Sequence, residues 1–131
     1  MGRFEPYIWN PVEALPRNEL ERLQTERLRA CVERVVANVP FYRERLAGSG
    51  ISAADIRSIG DLARLPFTTK QDLRDNYPYD LLAVPMEQVV RVHASSGTTG
   101  KLTVVGYTSV DLALWANMIA RALAAGGMRP S

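Results

Sequence analysis

The run Ser95-Ser96-Gly97-Thr98-Thr99-Gly100-Lys101 gathers hydroxyls, glycines and a lysine into one short segment, and the chemistry such a segment supports is anion binding. Gly97 and Gly100 permit positive φ and a close approach of backbone to ligand, so successive N–H groups can converge on phosphate oxygens. Ser95, Ser96, Thr98 and Thr99 each offer an O–H donor, and Lys101 adds a mobile point charge. The spacing excludes a Walker A loop, which needs four residues between its glycines, a Ser or Thr after the lysine and a helix to follow. Here only Thr98 and Thr99 separate the glycines, and Leu102 follows Lys101. The same residue types also fill ordinary polar turns, so composition alone leaves both readings open.

Three further side chains have the right chemistry. Lys70 follows Thr68-Thr69 at an expected helix start that an anion can reach, its plain alternative being a surface lysine. His93 shares a strand face with Arg91 and Ser95 and reads as a packed structural residue. Cys31, among apolar helical positions, reads as a small buried hydrophobe. One histidine and one cysteine exclude a zinc site, and no acid is placed to build a Ser/His/Asp set.

The elements that must position the run follow from periodicity. Val89 to Ala94 and Thr103 to Tyr107 read as strands, so the run joins them as a hairpin, with Tyr107 expected to pack beneath the loop. Thr108, with Asp111 in the first turn, is expected to cap a final helix whose apolar stripe of Leu112, Trp115, Met118, Ile119, Ala122 and Leu123 should pack into the core. Upstream, Leu20, Leu23, Leu28, Cys31, Val32, Val35, Val36 and Val39 mark an amphipathic helix starting at Pro16 and ending near Asn38, before Pro40. A second helix is expected from Pro40 to Gly48 or Gly50. Ser52 with Asp55 and Thr69 with Asp72 have capping-box spacing, and Tyr77-Pro78-Tyr79 should break the helix that Thr69 begins. These elements divide into a helical amino-terminal region, residues 1–85, and the beginning of a second domain, residues 86–131. The fold class expected is α/β, or α+β within this segment alone.

Length and composition bound the function. At 131 residues and 47% hydrophobic content the chain is one domain by size. A net charge of +2 arises from interspersed signs, so neither nucleic acid nor a membrane surface is an expected partner. No segment reads as a signal peptide or a membrane span, which points to the cytoplasm.

The run itself, with Thr103-Val104-Val105-Gly106-Tyr107-Thr108 after it and Val92-His93-Ala94 before it, resembles the phosphate signature of the adenylate-forming superfamily, and within it the phenylacetate-CoA ligase branch. Leu15-Pro16-Arg17, Asn38-Val39-Pro40-Phe41-Tyr42 and Leu65-Pro66-Phe67-Thr68-Thr69-Lys70 also resemble that branch, so the likeness covers nearly the whole chain. Leu102 departs from the proline usual in the family. The resemblance implies the amino-terminal part of an ATP-dependent, AMP-forming arylacetate ligase, with phenylacetate, ATP and coenzyme A as substrates and Mg2+ as cofactor. Ser95, Ser96, Gly97, Thr98, Thr99, Gly100 and Lys101 would hold the β- and γ-phosphates, and Lys70 is a further candidate. It also implies that the nucleoside pocket and catalytic lysine lie beyond Ser131, so the segment alone is expected to be inactive and prone to self-association. The alternative reading is a non-catalytic interaction module, or a subunit that pairs with the rest of a split ligase.

Overall fold

The structure, a computed structural model, describes residues 7–95 and 102–129. Helix α1 spans Arg17–Asn38 and helix α2 Pro40–Gly48. They meet at Val39, whose extended geometry (φ −120°, ψ 107°) is what a residue before proline prefers. Pro40 then occupies the first turn of α2, where its missing N–H costs nothing. Arg43 closes the corner by donating to the carbonyls of Val36 (3.0 Å) and Ala37 (2.9 Å), which α1 leaves without helical partners.

The core lies between these helices and the segment that follows. Val32, Leu46 and Ile56 are buried together, with Leu28, Val35, Val36, Ile51 and Leu65 packed around them. Removing each such side chain from water contributes about 1.5–3 kcal/mol. Gly50, at φ +64°, turns the chain back toward α1. The Arg29 guanidinium then reaches across to the Ile56 carbonyl at 2.7 and 3.2 Å and holds the returning strap in place. Cys31 departs from expectation, because it is exposed. The buried stripe runs through Leu28, Val32, Val35, Val36 and Val39, and Cys31 lies about 100° around the helix from Val32.

Four elements start with the same device, a hydroxyl followed three residues later by an aspartate. Ser52 and Asp55 open the 3-10 turn Ala53–Asp55; Ser58 and Asp61 open the turn Ile59–Arg64. Thr69 and Asp72 open α3, Lys70–Asp75, and Thr108 and Asp111 open α4, Ser109–Ala125. In each the aspartate accepts from the cap residue's backbone N–H, at 2.6 to 2.8 Å, satisfying a donor the helix leaves free. Those hydrogen bonds lower the carboxyl pKa in all four, and that of Asp61 falls from 3.8 to about 2.

Strands β1, Val89–Ser95, and β2, Thr103–Thr108, form a two-stranded antiparallel sheet. Its register pairs Arg91 with Tyr107, His93 with Val105, and Ser95 with Thr103. One face meets the segment around Leu82, so closely that a Cβ at Gly106 would stand 2.9 Å from the Leu82 side chain. The other face carries α4. The large apolar side chains of α4 do not enter a core as expected: Trp115, Met118, Ile119 and Leu123 are exposed, and the helix turns Asn117, Ala120, Arg121 and Ala124 inward instead. Arg121 pairs with Glu13 of the 3-10 turn Pro11–Ala14, which fixes the orientation of that inward face.

Candidate phosphate-binding site

The candidate loop is closed at its base by the cross-strand pair Ser95 and Thr103. Ser95 is therefore the last residue of β1 rather than a residue of the loop, and its side chain is exposed. Ser96, Gly97, Thr98, Thr99, Gly100 and Lys101 lie outside the described residues. Thr103 escapes a reading of the sequence because a threonine opening a strand is an ordinary β-former. Its Oγ1 is buried and has no hydrogen-bond partner among the described residues, at the base of the loop. It stands opposite Ser95 in the register.

Beneath the loop's base the α4 face of the sheet carries an aromatic cluster. His93 packs edge-on against Tyr107 (5.0 Å) and Trp115 (5.7 Å), while Tyr107 stacks on Trp115 at 5.5 Å and 23°. Ring pairs of this kind contribute about 0.5–1.5 kcal/mol beyond area burial. The structural reading of His93 is thus what its surroundings support: it ties β1 to β2 and to α4. Tyr107 pairs with Arg91, at the opposite end of the ladder from Ser95, and the expectation that it packs beneath the loop falls on residues outside the described ones.

Lys70 is the first residue of α3 and is exposed. The α3 N-terminus is already served by the Asp72 carboxylate, which Arg45 approaches at 2.9 Å. Among the described residues no hydrogen bond or ion pair joins Lys70 to β1 or β2, and the loop it was expected to assist lies outside the described residues. No group of three or more His, Cys, Asp or Glu among the described residues is arranged to hold a metal ion. No described helix is long and apolar enough to cross a membrane.

Comparison with known proteins bears directly on this hairpin. No protein-family model matches the chain. It is 54% identical over 121 residues to the phenylacetate-coenzyme A ligase of Escherichia coli, covering 92% of this chain and 28% of that protein. Against the phenylacetate-coenzyme A ligase of Thermus thermophilus it is 56% identical over 119 residues, 91% of this chain and 27% of the relative. Among solved structures, a 2-hydroxyisobutyryl-CoA ligase in complex with 2-HIB-AMP and CoA superposes with a TM-score of 0.82 at 32% identity, over 92% of this chain and 26% of that one. An open conformation of that ligase gives 0.83 at 28% identity, over all of this chain and 31% of the other. The chain therefore spans just over a quarter of the length of the curated relatives it matches, and its helices and hairpin are the α/β beginning of an adenylate-forming architecture. By sequence the chain matches phenylacetate-coenzyme A ligases at 52–56% identity, as a segment of that length.

Proposed function

We propose that this segment supplies the phosphate-holding hairpin of an AMP-forming ligase that joins phenylacetate, or a close arylacetate, to coenzyme A. The observation that carries the reading is the identity of 52–56% to four phenylacetate-coenzyme A ligases across more than nine-tenths of the chain. In that reaction the substrate carboxylate attacks the α-phosphate of ATP and pyrophosphate leaves; the thiol of coenzyme A then attacks the acyl carbon of the acyl-adenylate, forming the thioester and releasing AMP. The work of the hairpin is electrostatic. Ser95, Ser96, Gly97, Thr98, Thr99, Gly100 and Lys101 would hold the β- and γ-phosphates as charge builds on the leaving pyrophosphate, with the Thr103 hydroxyl at the loop's base. Donors already aimed at a developing charge need little reorganisation when it appears, which is where sites of this kind gain their rate. Lys70, exposed at the first position of α3, is a second candidate cation for the triphosphate.

Magnesium, when bound, would share the charge on the phosphates. No described residue is assigned to it.

The test grafts this chain in place of the matching segment of the Escherichia coli ligase and measures acyl-CoA formation from phenylacetate, ATP and coenzyme A. The graft should turn over, and Lys101→Ala within it should lower kcat/KM for ATP by about 100-fold, a typical loss for one donor to a developing charge. A folded graft without turnover, or full activity in the Lys101→Ala graft, would contradict the reading.

A further inference from the structure

Where the strap after Gly50 crosses α1, the two leave a groove of about 410 Å³ between them. Thr25, Glu26 and Arg29 of α1 form one wall and Arg57, Ser58 and Ile59 of the strap the other, and no residue of the hairpin takes part.

The charges along this groove do not all find partners. Glu26 is taken by Arg22, and Glu21 by Arg17, each at 2.7 Å and one helical turn away. Two guanidinium groups are left without a carboxylate, one on each wall. Arg29 gives Nε and Nη2 to the Ile56 carbonyl, at 3.2 and 2.7 Å; a neutral acceptor orients its plane and leaves its charge uncompensated. The exposed Arg57 side chain makes no hydrogen bond or ion pair among the described residues. Its neighbour Asp61 accepts from the Arg57 and Ser58 N–H groups and pairs with Arg64 instead. The hydroxyls of the groove are committed as well, that of Thr25 to the Glu21 carbonyl and that of Ser58 to Asp61. Recognition in the groove therefore falls to the two arginines.

We propose that this groove is a second anion site, separate from the hairpin, that holds a phosphate dianion, free or as a phosphomonoester, between Arg29 and Arg57. Two negative charges on one group match the two uncompensated positive ones. Each planar guanidinium can meet a separate pair of phosphate oxygens, a fit that a carboxylate with two oxygens offers to only one fork. Arg29 is already held by the Ile56 carbonyl, so ordering it on a ligand costs little further side-chain entropy. The volume exceeds what a phosphate group fills, which leaves room for the group esterified to it.

Titrating the labelled chain with inorganic phosphate, at an ionic strength kept constant with sodium chloride, tests this. Saturable amide shifts should appear at Arg29, Arg57 and Ser58. Arg57→Gln should weaken the binding by at least about 10-fold, the ordinary loss for a hydrogen-bonded charge contact, while Arg91→Gln, the same change of charge on β1, should leave it unchanged. Arg29→Gln also removes the clamp on Ile56, so Arg57→Gln is the deciding variant. Further arms identify the source of the phosphate: AMP saturating the same residues below the phosphate concentration assigns the site to an adenylate, and coenzyme A doing so where dephospho-coenzyme A does not assigns it to a ribose 3′-phosphate. Shifts that chloride reproduces, or an equal response in Arg57→Gln, would overturn the proposal. Saturation confined to Ser95 through Thr103 would overturn it too and leave the hairpin reading intact, whereas saturation of the groove with a silent hairpin would do the reverse.

Discussion

The α1–α2 region and the hairpin with α4 use similar apolar residues to opposite ends. In the first, valines and leucines at helical spacing close upon Ile56, which is fully buried, and each polar strap across them is satisfied. In the second, large residues remain exposed, Met118 by 56% and Ile119 by 51%, on a side of the helix with no second layer against it among the described residues. The contrast shows that apolar periodicity specifies a face to be buried but not what buries it. The first region finds its cover within about 40 residues of chain, whereas the exposed side of the second has none among the described residues.

Mutation sharpens that contrast. Ile56→Ala should lower the stability of the chain by about 3–4 kcal/mol, while Ile119→Ala, a deletion of the same size, should cost less than about 1 kcal/mol, because its side chain is half in water already. Urea denaturation of the two variants measures both, and equal losses would erase the distinction between the regions. Gly106→Ala should cost about 1–2 kcal/mol: the new methyl meets Leu82 at 2.9 Å and Val89 at 3.2 Å, so both side chains must give way. Thr108→Ala, which removes the hydroxyl that accepts from the Asp111 N–H, should cost about 1 kcal/mol and loosen the start of α4, visible as lost helical dichroism.

The smallest effect is on the response to acid. The hydrogen bonds that hold Asp61 at about 2, and those that lower Asp55, Asp72 and Asp111, favour the ionised carboxylates in the folded state. Their contribution is present in full above the ordinary aspartate range near pH 4 and is lost as pH falls through the lowered values. The urea midpoint should thus hold level from pH 7 to about 5 and then decline toward about pH 2. Asp61→Asn should flatten part of that decline.

Much of this fold is legible in the residues themselves. Pro40 fixes the corner between α1 and α2, and Thr69 with Asp72 and Thr108 with Asp111 mark the starts of α3 and α4 to the residue. The box at Ser58 and Asp61 has the same spacing but opens only a 3-10 turn, with no apolar periodicity to draw attention to it. Cys31 and the α4 stripe mislead for one reason: a single-sequence period cannot distinguish a position at the edge of a buried stripe, or a face covered from elsewhere, from one that the chain covers itself. The loop run announces its chemistry through residue type. Thr103 does not, since only the structure shows its pairing with Ser95 and its buried Oγ1, unpartnered among the described residues.

The central claim, that the β1–β2 hairpin holds polyphosphate, is tested most directly by titrating the labelled chain with pyrophosphate and following amide chemical shifts. The account predicts saturable shifts from Ser95 through Thr103, reduced in Lys101→Ala, with α1 and α2 unmoved. Shifts confined to α1, α2 or α3, or an unchanged response in Lys101→Ala, would contradict it.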